Sequence, residues 1–280
     1  MNIGNAINEA SRILEKNKIK SAKLDSEILM SEVIKKDRKF IILNSEQKIE
    51  KNSFDDFKNL INKRSNGKPI AYIIGKKNFW KYEFEINENV LVPRPDTELI
   101  VEEVLRFSKN RNKLNVLDIG TGSGCILLSI LDEKKDFFGI GIDISKKCLD
   151  LSKKNALGIE VHNRVKFIKS DVDNFNYGKY DLIISNPPYI KQVDFKYLEK
   201  SVVNFEPKLA LNGGIDGLSE IRKVIKKSSE LIKIGGKFFL EIGFDQKNKV
   251  KQILKNKGFY INKILKDYGQ NNRCIVSTKK

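Results

Sequence analysis

Histidine is almost missing: His162 is the one histidine in 280 residues. Without a second imidazole, neither a histidine-rich metal site nor a Ser/His/Asp triad can be assembled. The three cysteines, Cys125, Cys148 and Cys274, are odd in number, widely spaced and free of the Cys-x-x-Cys pattern. They read as reduced packing residues, and no metal is expected. Arginine is scarce as well, with 9 residues against 44 lysines behind a formal charge of +17. Arginine's planar fork is the preferred tool for reading phosphates and base edges, so nucleic acid is not expected as the substrate despite the charge. Ten Lys/Arg and one acid, Asp267, fall in residues 246–280, which suits either partner steering or solubility. No stretch approaches the roughly 18 consecutive apolar residues that a membrane span needs. Residues 1–10 also lack the basic and apolar blocks of a secretory signal, so a cytoplasmic protein without membrane contact is expected.

What is present divides the chain. Apolar residues recur at helical spacing through Ile7, Ile13 and Leu14, then Leu24, Ile28, Leu29 and Val33, then Phe54, Phe57, Leu60 and Ile61. Residues 1–69 therefore read as a small all-α domain, closed by Asn66-Gly67-Lys68-Pro69. Residues 70–92 look extended, with Phe79, Trp80, Tyr82, Phe84 and Ile86 partly alternating, and read as a β-hairpin linker. From 93 to 280 strands alternate with helices, the pattern of an α/β sheet with parallel crossovers. Seven strands are expected at 115–119, 137–143, 165–169, 180–185, 237–242, 259–265 and 273–278. Helices should begin near Pro95, Gly124, Lys146, Ser219 and Gln246. The last two strands are too close in sequence for a helical crossover, so the sheet should end in an antiparallel hairpin.

The first of these strands runs into Gly120, Thr121, Gly122, Ser123 and Gly124. A strand that turns sharply into a helix beneath a ligand needs residues without Cβ, for unusual φ values and for close backbone approach. The spacing is not the dinucleotide fingerprint, and the lysine of a phosphate-binding loop is missing, so the ligand need not carry phosphates. The second strand ends at Asp143, where a carboxylate can accept both hydroxyls of a ribose. The third ends before Asp171 and Val172, an acceptor for an exocyclic amine and a flank for an adenine ring. Ligands in open α/β sheets bind at the carboxyl ends of strands, so these loops outline an adenosine site.

The fourth strand leads into Asn186, Pro187, Pro188 and Tyr189. Two prolines remove two N–H donors and stiffen the loop, so the Asn186 side-chain oxygen and the Pro187 carbonyl can take both hydrogens of one NH2 group. Tyr189 supplies a face for a flat acceptor. Such a site suits methyl transfer, where holding the two reactants in line can lower the barrier by roughly 7–11 kcal/mol. Thr97 reads as a helix cap after two prolines, and Glu206 as a loop anchor.

Taken together the chain resembles the HemK/PrmC family, protein-(glutamine-N5) methyltransferases acting on peptide chain release factors. The resemblance rests on the helical start and the hairpin, on Leu91-Val92-Pro93-Arg94-Pro95-Asp96-Thr97-Glu98, and on the glycine loop and residues 186–189. It rests also on Phe205-Glu206-Pro207 and on the glycine-rich stretch 212–218. It implies a Rossmann-like seven-stranded class I methyltransferase domain at 93–280, with 1–69 recognising the substrate. It implies S-adenosylmethionine on Gly120 to Gly124 and Asp143, leaving as S-adenosylhomocysteine. It further implies that residues 186–189 hold the glutamine of a Gly-Gly-Gln motif, and that the segment of Arg94, Thr97 and Glu98 closes over the cofactor. The expected role is modification of release factors in translation termination, by a monomer. Val172 departs from relatives that carry an aromatic residue beside the adenine. Asn-Pro-Pro-Tyr by itself is shared with adenine-N6 methyltransferases, so DNA or RNA adenine is the alternative acceptor.

Overall fold

The helical periodicity at the start of the chain becomes five helices in the computed structural model, which describes residues 1–280. These are α1 (Ile3–Lys16), α2 (Ala22–Ile34), α3 (Arg38–Leu43), α4 (Lys51–Ser65) and α5 (Ile70–Ile74). Their inward faces bury Ile3, Leu14, Leu29, Met30, Ile41 and Phe57 in one cluster. Asn2 caps α1 by accepting the Asn5 N–H at 2.8 Å, and Arg64 Nε donates to the buried Asp25 carboxylate at 2.6 Å. Residues 70–74 were expected to be extended and are helical instead. The five apolar residues do not alternate, Pro69 precedes them as the N-cap, and Gly75 at φ 76° closes the turn. Met1–Gly75 with Glu199–Phe205 forms one compact unit, and Lys76–Leu198 with Glu206–Lys280 forms a second.

The second unit opens with an antiparallel hairpin, β1 (Lys76–Phe79) and β2 (Tyr82–Glu85). Phe79 and Phe84 insert into this unit's core, while Trp80 Nε1 donates to Glu133 at 2.8 Å. The hairpin that was expected as a linker is thus packed as part of this unit. There follow α6 (Glu98–Phe107), β3 (Asn115–Ile119), α7 (Cys125–Glu133), β4 (Phe138–Asp143), α8 (Lys146–Gly158), β5 (Val165–Lys169) and β6 (Tyr180–Ser185). After α9 (Lys200–Phe205), which belongs to the first unit, come α10 (Lys208–Leu211), α11 (Ser219–Leu231), β7 (Ile232–Glu241), α12 (Lys247–Asn256), β8 (Phe259–Lys266) and β9 (Asn272–Lys279).

The seven-stranded sheet has the order β5-β4-β3-β6-β7-β9-β8. It is parallel from β5 to β7; β9 runs antiparallel to β8, as expected, and also to β7. Because successive side chains of a strand point to opposite faces, Leu182, Ile184 and Phe239 enter one core with α6 and α7. Leu117, Ile119, Ile183, Phe238 and Leu240 enter the other, with α11 and α12. Covering both faces forces ligand chemistry to the rim, and the parallel strands place the carboxyl ends of β3 to β7 on one edge. All three cysteines are buried and free. No helix is long and apolar enough to cross a membrane.

Candidate active site

Tight backbone geometry shapes the loop after β3. Gly120 and Gly122 take φ of 76° and 57°, and the direction of a Cβ at either position is open space. The Gly120 and Thr121 N–H groups both donate to the Ile142 carbonyl, at 2.9 and 3.0 Å. From α8, Ser152 Oγ donates to the Gly122 carbonyl at 2.8 Å and Asn155 Nδ2 to that of Ser123 at 2.9 Å. Gly124, at φ 82°, starts α7.

Asp143, at the end of β4, accepts the Gly122 N–H at 3.0 Å and the Ser145 N–H at 2.8 Å. The fold thus brings Asp143 to the glycine loop. Burial raises its carboxyl pKa against the pull of those backbone donors. At the end of β5, Asp171 accepts the Asp173 N–H at 2.8 Å within its own turn, and half-buried Val172 packs on the core beneath.

Asp118 was not singled out in the sequence, although an acid inside an apolar strand is a signal. It is 1% exposed; Oδ2 accepts from Thr121 Oγ1 at 2.7 Å, and Oδ1 has no partner. Burial pushes its carboxyl up to about 7.

The second loop leaves the neighbouring strand. Ile119 pairs with Ser185 in the β3–β6 register, and Ser185 Oγ donates to the Ile119 carbonyl at 2.7 Å. Asn186 to Tyr189 thus begins level with Gly120, the first residue of the glycine loop. Asn186 Nδ2 donates to Thr97 Oγ1 at 3.3 Å. Thr97 Oγ1 in turn donates to Glu241 Oε2 at 2.7 Å, and the Tyr189 hydroxyl donates to Glu241 Oε1 at 3.3 Å. The capping reading of Thr97 is therefore overturned. It stands at the start of α6 without capping it, because its hydroxyl is drawn inward to a carboxylate 144 residues away.

Glu241, at the end of β7, is 2% exposed, and burial pushes its carboxyl up to about 7. Burial and the Glu241 charge raise the Tyr189 phenol well above its usual range. Arg273, at the start of β9, reaches the Tyr189 hydroxyl at 3.5 Å and is held by Asp267 at 2.8 Å. Neither Glu241 nor Arg273 was anticipated. The charge within Phe238-Phe239-Leu240-Glu241-Ile242 was the available sign of the first.

Two anchors complete the loop. Gln246 Nε2 donates to the Tyr189 and Gly217 carbonyls, each at 2.9 Å. A Cβ on Gly217, which sits at φ 75°, would lie 2.6 Å from the Tyr189 carbonyl oxygen, so the stretch 212–218 must carry glycine there. Buried Glu206 accepts from Arg94 at 2.5 Å and from the Val92 N–H at 3.3 Å, which makes it the anchor of the segment before α6.

Two family profiles match this chain: the PrmC N-terminal domain over residues 5–75 and the Methyltransferase small domain over residues 96–264. A release factor glutamine methyltransferase of Clostridium acetobutylicum is 38% identical over 282 residues, covering 100% of this chain and 99% of the relative. One from Buchnera aphidicola subsp. Schizaphis graminum is 39% identical over 256 residues, covering 91% of this chain and 92% of the relative. The crystal structure of the ribosomal protein L11 methylase of Lactobacillus delbrueckii subsp. bulgaricus aligns with a TM-score of 0.51 at 16% identity. That alignment covers 69% of this chain and 82% of the other, and it bears on the fold alone. With the match running from the first helix to the last strand and the two loops meeting on one sheet edge, this chain belongs to the release factor glutamine methyltransferase family and is a methyltransferase.

Proposed function

We propose that the protein transfers a methyl group from S-adenosylmethionine to the side-chain amide nitrogen of the glutamine in the Gly-Gly-Gln motif of peptide chain release factors. The observation that carries this reading is the commitment of the Asn186 nitrogen to Thr97. That bond leaves the Asn186 oxygen for an incoming N–H, on the strand next to the glycine loop. Relatives named for release factors, at 38–39% identity over nearly the whole chain, favour this acceptor over an adenine base.

The residues fit the cofactor. The open Cβ directions at Gly120 and Gly122 form a floor with no side chain over it, and the buried Asp118 Oδ1 lacks a partner. Asp143 stands at the next strand end with a carboxylate suited to ribose hydroxyls. Gly120, Thr121, Gly122, Ser123, Gly124, Asp143, Asp171 and Val172 would hold the group. When bound it supplies an electrophilic sulfonium methyl and leaves as S-adenosylhomocysteine.

The chain's own contribution is orientation. The Asn186 oxygen and the Pro187 carbonyl accept the two N–H bonds of the acceptor amide, and Pro188 keeps the loop stiff. Tyr189, its hydroxyl tied to Glu241, offers a ring face to the flat amide. Two acceptors on one NH2 group favour the charge that develops on nitrogen as it attacks, since they are already in place when it forms. Residues 1–69 act as the domain that recognises the release factor, and the reaction belongs in the cytoplasm with translation.

The test is incubation with methyl-labelled S-adenosylmethionine and a purified release factor, followed by mass spectrometry of the Gly-Gly-Gln peptide. One added methyl on the glutamine is expected, and a glutamine left unlabelled refutes the proposal.

A further inference from the structure

Among the buried polar groups of the second unit, one set has a direction. The Asn186 amide, the Thr97 hydroxyl and the Glu241 carboxylate form a chain of hydrogen bonds, at 3.3 and 2.7 Å. Thr97 is 3% and Glu241 2% exposed, so water is largely excluded from competing with the Thr97–Glu241 link. A hydroxyl has one hydrogen. While Glu241 is ionised it can only accept, so Thr97 must spend its hydrogen on the carboxylate. It then has lone pairs alone to offer Asn186, and the half of the amide facing it must be the NH2 group. The carbonyl half is turned to the other side. Were Glu241 protonated, it could donate to Thr97. The freed hydroxyl hydrogen would then attract the Asn186 oxygen, and the amide would present donors where the reaction needs an acceptor.

We propose that Glu241, acting through Thr97, is a positioning residue that sets the polarity of the Asn186 side chain and so decides whether the acceptor site receives an N–H. The proposal rests on the glutamine-methylating reading of that site, which it deepens. The second Glu241 oxygen receives the Tyr189 hydroxyl at 3.3 Å, so one carboxylate holds both side chains that flank the two prolines. The charged and titratable groups facing Glu241 are Asp96 from the turn before α6, Tyr189 from the loop after β6, and Arg273 and Cys274 from β9, with Cys125 at the start of α7. Burial opposes the ionised carboxylate, as does Asp96, whereas the Thr97 hydrogen bond, Arg273 and the Tyr189 hydrogen bond favour it. The carboxyl consequently titrates close to neutrality, where a change of polarity can be followed.

The test watches the amide itself. In protein labelled with 15N at asparagine side chains, the Asn186 NH2 signals are assigned by their loss in Asn186→Gln. They are expected to titrate with a midpoint within about one unit of the Glu241 value of about 7, to stay flat in Glu241→Gln and to shift in Thr97→Val. Signals indifferent to pH and to both substitutions overturn the relay, whatever the enzyme methylates. With a release factor as substrate, Thr97→Val is expected to lower kcat about tenfold, the loss of one oriented hydrogen bond, with S-adenosylmethionine affinity kept within about twofold. Thr97→Ser should recover most of the rate because it keeps the hydroxyl. A Thr97→Val enzyme with the wild-type kcat also overturns the proposal. A wild-type protein that transfers no methyl refutes the functional reading instead, and the amide titration still decides the relay.

Discussion

Replacing Asp118 by asparagine should stabilise the second unit, and by more as the pH rises. The carboxyl lies within β3 at 1% exposure, with one oxygen bonded to Thr121 and the other unpartnered. Its folded-state pKa is pushed from 3.8 up to about 7, chiefly by burial. Between those values the unfolded chain has already released its proton while the folded chain keeps it, so unfolding becomes easier with each increment of pH. At about 1.4 kcal/mol per unit, the loss accrued between pH 5 and pH 8 is roughly 2–3 kcal/mol, since the low end of the window lies below pH 5 and its top near 7. An asparagine side chain has nearly the same shape and cannot ionise, so the variant escapes this loss. The assay is urea unfolding followed by the single tryptophan, Trp80, whose indole is anchored to Glu133 inside this unit. The stability difference between Asp118→Asn and wild type should widen by about 2–3 kcal/mol from pH 5 to pH 8, other titrating groups being common to both proteins. A difference that stays constant over that range refutes the reasoning.

Three further outcomes are expected. Phe57→Ala empties a site that is 1% exposed in the first unit and should cost about 3–5 kcal/mol, measured by the loss of helical circular dichroism in urea. Gly217→Ala drives a Cβ toward the Tyr189 carbonyl at a strained φ of 75°; methyl transfer and melting temperature should both fall, and wild-type values for both would show that the loop gives way. Asn186→Ala should reduce kcat about a hundredfold or more by removing one oriented acceptor. Its melting temperature should stay within about 2 °C of wild type, because a half-buried loop side chain with one long hydrogen bond contributes little to stability.

Much of the fold was legible along the chain because its causes are local. The stretches 115–119, 165–169 and 180–185 are strands with the boundaries expected of them, since short apolar runs between turn residues leave few other ways to bury their side chains. The glycines at 120, 122 and 124 announced positive φ, which any other residue would adopt only at a cost. Where the local signal was equivocal, the reading slipped: Ile70–Ile74 offered apolar residues without a period, and flanking Pro69 and Gly75 made it a helix. The loop at Asn186 to Tyr189 drew notice because proline and asparagine act through their own backbone and side chain.

The distant partners of that loop were not visible. Thr97 looked like a cap, and Glu241 drew no reading at all. Their bond spans 144 positions and exists because β6 and β7 are neighbours with the start of α6 lying across their ends. Sequence alone determined which segments are strands, which turns need glycine and which side chains can face an NH2 group. Tertiary structure alone decided which strand ends adjoin, and hence which carboxyls are stripped of water and which hydroxyl they claim. Dihedral preference belongs to a residue and its immediate neighbours, whereas desolvation and hydrogen-bond direction belong to whatever the fold packs beside it.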